Sequence, residues 1–429
     1  MLHTAADIEA VKDRLETEQL AKDAYSRLEA QSAGDAAGAV EYLKRMDKTN
    51  WEPIYPDYNN FAWAANDAKL AYELALRYQL KGSTAAADKA VNILNNWATV
   101  NKGILRLKGY NNNIPDPNEY LISIQAYQFA NAAELLRDYN GWQAADFANF
   151  QNWIRQTFAD VAILFLENHH KNANPLHYWL NWDLACQNAL LSVGVLCDDQ
   201  ALVDYAINYA VAGEGTGKAE NAIVAIHNDP DSNETLAQCQ ESGRDQGHAT
   251  LDVTLLGVLC QTARNTGVDT DLFTTYKALE MAEYVGKYNL KNATTDAFVY
   301  TTVPFTTYNN GEVEHTAISE SARGTVRPCW ELFHAYAKAS GKADQYTEGW
   351  VKYQRAKNAW GEGEGTSTDE LGFGSLMFGA SVTTGISTLD NLTNSPFDNN
   401  APMYNLAGQR VEKSYKGVVI QNGRKFINK

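Results

Sequence analysis

The chain has 429 residues, and its 36 Lys and Arg against 52 Asp and Glu leave a formal charge of −16, which excludes a basic nucleic-acid binder. With 45% hydrophobic and 21% charged residues it can bury a large core, which excludes wholesale disorder, and its length exceeds the usual single domain unless the fold is a repeat or a toroid. No run approaches the roughly 18 consecutive apolar residues of a membrane span.

The opening stretch, Met1 to Tyr25, is charged and helix-like and lacks the apolar core of a signal peptide, so the chain reads as cytosolic or as trimmed of an export signal. Helical periodicity continues almost throughout 1–380. It predicts helices over 5–30, 61–80, 84–100, 118–138, 143–167, 183–197, 200–212, 248–265, 271–288, 328–340 and 343–358, separated by Gly, Pro and Asn clusters. Within 61–80, Leu70, Leu74 and Tyr78 line one face while Lys69, Glu73 and Arg77 form the neighbouring charged stripe. A dozen helices with short connections predict an all-α fold of stacked helical hairpins, six or seven pairs, for which a large helical toroid is admissible. Segments 101–117, 213–247 and 289–327 break the pattern as long loops, the last with a β-rich piece at Ala297–Val303. Near residue 386 the helical period gives way to short predicted strands, which divides the chain into a toroid domain, 1–385, and a C-terminal β-rich tail, 386–429.

Five cysteines, none in CxxC spacing, predict buried free thiols and neither a disulfide framework nor a metal site. The 10 Trp, 23 Tyr and 14 Phe are more informative, because many Trp and Tyr stand beside Asn, Asp or Gly rather than in apolar runs. Flat rings next to amides and carboxylates suit a carbohydrate cleft as well as they suit an aromatic core.

Three constellations could carry chemistry. Gln240-Glu241-Ser242-Gly243-Arg244-Asp245-Gln246-Gly247-His248 opens directly into an apolar helix. His248 falls in that helix's first turn, where the positive dipole end disfavours imidazolium, and Arg244 offers a rigid fork for a carboxylate. A capping network built on Asp245 and Gln246, with Arg244 in a structural ion pair, is the competing reading. The second constellation, His177-Tyr178-Trp179-Leu180-Asn181-Trp182-Asp183, also precedes an apolar helix. The third spans 300–331 and holds Tyr300, Tyr308, His315, Glu320, Arg323, Arg327, Trp330 and Glu331, with Arg323 and Arg327 spaced as an anion clamp. In a toroid the loops before inner helices share one rim, so Asn181 and His248 are expected to meet across 67 positions.

Taken in order, Asn181-Trp182-Asp183, Gly194 to Asp199, the run Gln240 to His248, Glu283-Tyr284 with Lys287 to Leu290, and Arg327-Pro328 with Trp330-Glu331 resemble the alginate lyase superfamily of polysaccharide lyases. Within it the chain is most similar to the branch acting on polymannuronate and glucuronan, over roughly residues 60–340. The resemblance implies an (α/α) toroid that cleaves an acidic polysaccharide by β-elimination without a cofactor or metal, as an exported (secreted or periplasmic) monomer with no nucleic-acid partner. It implies that Asn181, His248 and Arg244 neutralise the sugar carboxylate, while Gln240 and Glu241 orient them or bind sugar. Trp182, His177, Tyr178, Arg323, Arg327 and Trp330 are expected to line the substrate path.

Elimination also needs a base, which the resemblance assigns to a tyrosine. The family's usual position, on the helix shortly after the arginine, is here part of Ala249 to Leu256 and holds none. Tyr300 is therefore expected to serve, ahead of Tyr178 and Tyr308. One tyrosine suffices for mannuronate or glucuronate, whose C5 proton and O4 share a ring face. The alternatives are an inverting glycoside hydrolase using two of Asp183, Glu241 and Asp245, or a non-catalytic glycan-binding protein.

Overall fold

A computed structural model describes residues 1–43, 61–104, 119–169, 178–311, 313–360, 369–380, 382, 403–405, 410–421 and 424–428. The helices begin with α1 (Ala5–Thr17), α2 (Gln19–Gln31), α3 (Phe61–Lys81), α4 (Thr84–Val100) and α5 (Glu119–Glu134). There follow α6 (Ala144–Ile154), which runs through a π-helical turn into α7 (Asp160–Asn168), then α8 (Leu180–Leu196), α9 (Gln200–Ala212) and the short α10 (Ala219–Ala222). A hairpin, β1 (Ile223–Asn228) and β2 (Thr235–Cys239), leads into α11 (Gln246–Asn265), α12 (Leu272–Thr275) and α13 (Ala278–Asn289). Two-residue strands β3 (Tyr308–Asn309) and β4 (Glu314–His315) precede α14 (Trp330–Ser340), α15 (Gln345–Lys357) and α16 (Gly374–Met377). The C-terminal strands β5 (Met403–Asn405), β6 (Arg410–Val411), β7 (Gly417–Gln421) and β8 (Arg424–Asn428) form an antiparallel sheet in the order β6-β5-β7-β8.

The helices close into a ring. α3 packs on α5, α5 on α8, α8 on α11, α11 on α13, and α13 on α14 and α15; α14 meets α16, which meets α1 and α2, and these return to α3. Sequence sets which helices form the inner wall. α8 is buried almost throughout, its polar Asn181, Asp183, Gln187, Asn188 and Ser192 included, whereas α4 and α9 carry a single apolar stripe and flank α3 and α8 from outside. Helix starts are marked by side-chain caps: a capping box between Thr4 and Asp7, and the oxygens of Ser83, Asp199 and Asp245 accepting first-turn amides.

The predicted helices need four corrections. The 5–30 helix breaks at Glu18, whose backbone is extended, and the 118–138 helix ends at Glu134 in turns. A π-helical turn at Arg155–Ala159 interrupts 143–167, and left-handed Lys277 splits 271–288 into α12 and α13. Segment 213–247 is no plain loop, since it folds as α10 and an antiparallel hairpin registered from Ile223↔Cys239 to Asn228↔Thr235. Ala297–Val303 forms no strand beyond the Lys291–Phe298 bridge, because the carbonyl of Tyr300 accepts from Arg323 Nη2 at 2.6 Å instead of from a neighbouring strand. No helix among the described residues is long and apolar enough to cross a membrane.

The tip of the β1–β2 hairpin is fastened to the ring by a buried charge. Lys287 of α13, 1% exposed, donates to Asp229, itself buried, and to Asp231 at 2.5 Å, and Tyr346 of α15 also donates to Asp229. Burial works to raise the Asp229 carboxyl, but the bonds from Lys287, Ser232 and Tyr346 outweigh it and hold it below the ordinary value. Lys287→Met should therefore cost about 3–5 kcal/mol, because Asp229 is left buried without its cation. Urea unfolding checks this, and a loss under about 1 kcal/mol would mean that the cluster is relieved by water.

Candidate active site at the starts of α8 and α11

The ring places the N-termini of α8 and α11 side by side, and one carboxylate joins them. Glu241, in the turn between β2 and α11, is fully buried; its Oε1 accepts from the amide N–H of Asn181 at 2.9 Å and from the Asn181 side chain, and its Oε2 accepts from Arg244 Nη1 at 2.7 Å. Gln240 Oε1 accepts from the Leu180 amide at 3.1 Å. Two of the unpaired donors that begin any helix are thus satisfied at α8 by the side chains of the turn that leads into α11. The expected partner of Asn181 is His248; among the described residues Asn181 is instead joined through Glu241 to Arg244, and at 2% exposure it is buried rather than on the open rim.

Arg244 is held from three directions. Glu241 takes Nη1, Asp245 lies 4.0 Å from Nε, and the guanidinium stacks over the Trp179 ring at 4.6 Å from its centroid. Its Nη2 makes no hydrogen bond among the described residues, and about a quarter of the side chain is exposed (24%), so the fork keeps open donors. His248 is the most open of the group at 39% side-chain exposure. Asp245 caps α11 by accepting from the His248 amide at 2.9 Å, and its other oxygen sits 2.6 Å from His248 Nδ1. This fixes the ring and leaves Nε2 as its outward nitrogen. Burial works to raise Asp245, but the His248 side chain and amide, with Arg244 beyond, hold the carboxyl below its ordinary value. Capping and the positioning of His248 are one arrangement here, not competing ones.

The segment 300–327 folds back over this turn. The Gln246 amide donates to Ser321 O at 2.8 Å, the Ser319 amide to Ser242 O at 3.0 Å, and Arg327 Nε to Gly247 O at 3.2 Å. Tyr308 reaches the turn directly: its hydroxyl accepts from the Gly243 amide at 3.1 Å and donates to Gln240 O, and its ring stacks on His315 at 4.9 Å. His315 in turn meets the Trp179 ring edge at 5.8 Å. Gly243 is required at this point, since a Cβ there would lie 2.5 Å from His315 Cβ. Trp179, Tyr308, His315, Arg244 and His248 therefore share one rim. Trp179 and His315 are the residues that sequence reasoning left without a role, although each stands in a polar-aromatic run.

Other expected site residues are committed to partners of their own. Tyr300 packs its ring on Tyr346 at 5.1 Å with Lys287 at 5.0 Å from its centroid, and its hydroxyl accepts from Gln345 at 3.2 Å. That is the hairpin tip, whereas Arg244 follows the hairpin base; between them Thr306 bonds to Gln238 of β2. The two ends are separated by roughly the length of β2, about 15 Å at ~3.3 Å per residue. Burial, with Asp231 and Asp229 adding to it, also pushes the Tyr300 phenol up, the opposite of what the nearby ammonium leads one to expect.

Arg323 is sandwiched between Tyr288 and Phe298 at 3.9 and 4.1 Å and donates to the carbonyls of Tyr288 and Tyr300, and Arg327 is paired with Glu370 and Asp369, so neither is a free anion clamp. Trp330 stacks on Trp350 at 5.2 Å in the core and presents no face to a sugar. Gln240 is buried as a link to α8, and Tyr178 and Trp182 pack edge to face at 5.2 Å beside α8. His177 lies outside the described residues. The carboxyl pair needed by an inverting hydrolase is missing from this rim among the described residues: Asp183 is buried against His169 at 2.9 Å, Glu241 is buried, and Asp245 is committed to His248.

Residues 9–285 match the family described as alginate lyase. Among solved structures, alginate lyase A1-III from Sphingomonas species A1 is 16% identical over 79% of this chain and 88% of that one, with a TM-score of 0.48. An alginate lyase from Bacteroides ovatus is 13% identical over 88% of this chain and 98% of that one, with a TM-score of 0.46. A variant of the Sphingomonas enzyme complexed with a tetrasaccharide is 15% identical over 79% and 87% of the two chains, with a TM-score of 0.46. No curated protein matches the sequence.

Proposed function

Because the chain belongs to the alginate lyase family, we propose that it cleaves a polymannuronate or glucuronan chain by β-elimination at the rim formed by Arg244, His248 and Tyr308. The observation that carries this reading is the pair of half-open nitrogen groups, the Arg244 fork and the His248 ring, fixed one turn apart by Glu241 and Asp245. A uronate's C5 proton is too weakly acidic to remove while the C6 carboxylate keeps its full charge. Arg244 and His248 Nε2 bind that carboxylate and take up the charge that spreads onto it as C5 loses its proton. Asn181 acts from below, holding Glu241 and through it Arg244.

Tyr308, whose hydroxyl reaches the Gly243 turn, supplies the proton transfers. Its phenolate oxygen takes the C5 proton, the C4–C5 double bond forms as the C4–O4 bond breaks, and the same phenol returns the proton to O4. One group can do both because in mannuronate and glucuronate the proton and the leaving oxygen share a ring face. Burial holds the Tyr308 phenol above its ordinary value, so its basic form becomes populated only as pH rises. The log of kcat/KM should accordingly climb with pH through the neutral to mildly alkaline range, and a profile that falls across it would remove Tyr308 as the base. A polymer of this kind is met outside the cytoplasm, so the reading carries an exported enzyme.

The test is to incubate the protein with polymannuronate, glucuronan and a neutral glycan while following ultraviolet absorbance and reducing ends together. Elimination gives both signals on at least one uronate polymer and neither on the neutral glycan. Reducing ends without absorbance would make the protein a hydrolase, and the absence of both would make it a binder.

A further inference from the structure

Beneath Arg244 lies a second acid that the proposed chemistry does not use. Asp252 sits on α11 one turn past His248, is fully buried, and neither of its oxygens meets a donor among the described residues. The group it meets is Glu241, equally buried, whose oxygens already accept from Asn181 and Arg244. Two bare carboxylates in contact would repel one another in a low-dielectric site, and one arginine cannot neutralise both. A single proton on Asp252 resolves this, because an acid donates to the carboxylate beside it.

We propose that Asp252 is a positioning residue that remains a neutral carboxylic acid and, by donating its proton to Glu241, fixes the carboxylate that in turn holds Asn181 and Arg244. The charges acting on it agree. Burial first, then the charge and bond of Glu241, push the Asp252 carboxyl well above its ordinary 3.8; Arg244 opposes this and Asp245 adds to it. Of the other titratable groups nearby, Cys239 at the end of β2 has its thiol pushed up by burial, and His248, one turn before Asp252 on α11, is held by Asp245. On the flanking helices the titratable groups are committed elsewhere: Asp183 to His169 and Tyr209, Cys186 to Ser123, Lys287 to Asp229, and Glu283 to the amides of Tyr346 and Thr347. Tyr284 lies near Ser242.

The activity arm of the test rests on the lyase reading, whereas the stability arm does not. Wild type, Asp252→Asn and Asp252→Leu are compared for kcat and KM on polymannuronate or glucuronan, and wild type and Asp252→Asn for Tm between about pH 5 and pH 9. An amide still donates to Glu241, so Asp252→Asn should keep kcat within about threefold, while Asp252→Leu should lose at least about tenfold in kcat with little change in KM. In wild type the unfolded chain releases the Asp252 proton above 3.8 and the folded protein retains it, so stability falls as pH rises. The Tm of Asp252→Asn should therefore gain on wild type with increasing pH. The proposal is overturned if the asparagine variant loses as much turnover as the leucine variant, or if the Tm gap is the same at every pH. Should the leucine variant not fold, the asparagine arms decide; should wild type lack lyase activity, the Tm arm still judges Asp252.

Discussion

Arg244→Ala should lose roughly 10²–10³ in kcat while the protein still folds, the usual consequence of deleting one preorganised donor aimed at developing charge. The structural side of the change is modest, because Arg244 is partly exposed and its backbone turn is held independently by the bonds of Ser242, Gln246 and Tyr308. The catalytic side is large, because the open Nη2 is the best-placed donor on the rim. Arg244→Lys should recover little, since a lysine offers a point charge without a planar fork and cannot reproduce the Glu241 bond, the Trp179 stack and the outward donor together. Single-turnover kinetics with a uronate oligosaccharide separates these outcomes. A loss below about tenfold in the alanine variant would return Arg244 to the role of structural ion-pair partner for Glu241.

Tyr308→Phe should abolish turnover, by on the order of 10³ or more, and leave oligosaccharide binding within a few-fold, because the ring and its stack on His315 remain and only the proton carrier is gone. It should cost about 1 kcal/mol of stability for the bonds to Gly243 N and Gln240 O, which thermal unfolding reports separately from kcat. Tyr300→Phe is the contrasting change. It keeps the ring on Lys287 and Tyr346 and loses one bond from Gln345, so activity should stay within about threefold. The two variants answer a question that sequence leaves open, since eight positions along one extended segment separate a tyrosine at the hairpin tip from one at its base. If Tyr300→Phe is inactive and Tyr308→Phe is active, the site lies at the hairpin tip and the geometry proposed above is wrong.

What could be read in advance follows the range of the physics involved. The helices that line the ring were legible because apolar periodicity and caps are local signals, and the run from Gln240 to His248 stood out because a polar, glycine-containing stretch opening an apolar helix is a poor core. That the starts of α8 and α11 lie side by side followed from the toroid, since neighbouring inner helices begin on one rim, but the link from Asn181 to Arg244 runs through Glu241, which the sequence does not show. Whether a cation is free, by contrast, is decided by partners far away in sequence. Arg327 looked like a clamp until Glu370 and Asp369 closed on it, and Arg323 until Tyr288 and Phe298 enclosed it. Trp330 stands among polar residues in the chain yet packs in the core on Trp350, which the α13–α14–α15 packing alone determines. Asp252 is hidden in Ala249 to Leu256, a stretch that reads as core, and Tyr300 ranks ahead of Tyr308 in the sequence only for standing in an irregular stretch rather than a helical apolar stripe, a local signal that says nothing of which tyrosine reaches the Gly243 turn.

The most direct test is a crystal structure of the Tyr308→Phe variant with a mannuronate or glucuronate tetrasaccharide. The carboxylate of one sugar should lie within hydrogen-bond distance of Arg244 and of His248 Nε2, with that sugar's C5–H turned toward the ring of residue 308. A sugar carboxylate seated instead against Lys287 and Tyr300, or no uronate within reach of Arg244, would contradict the account.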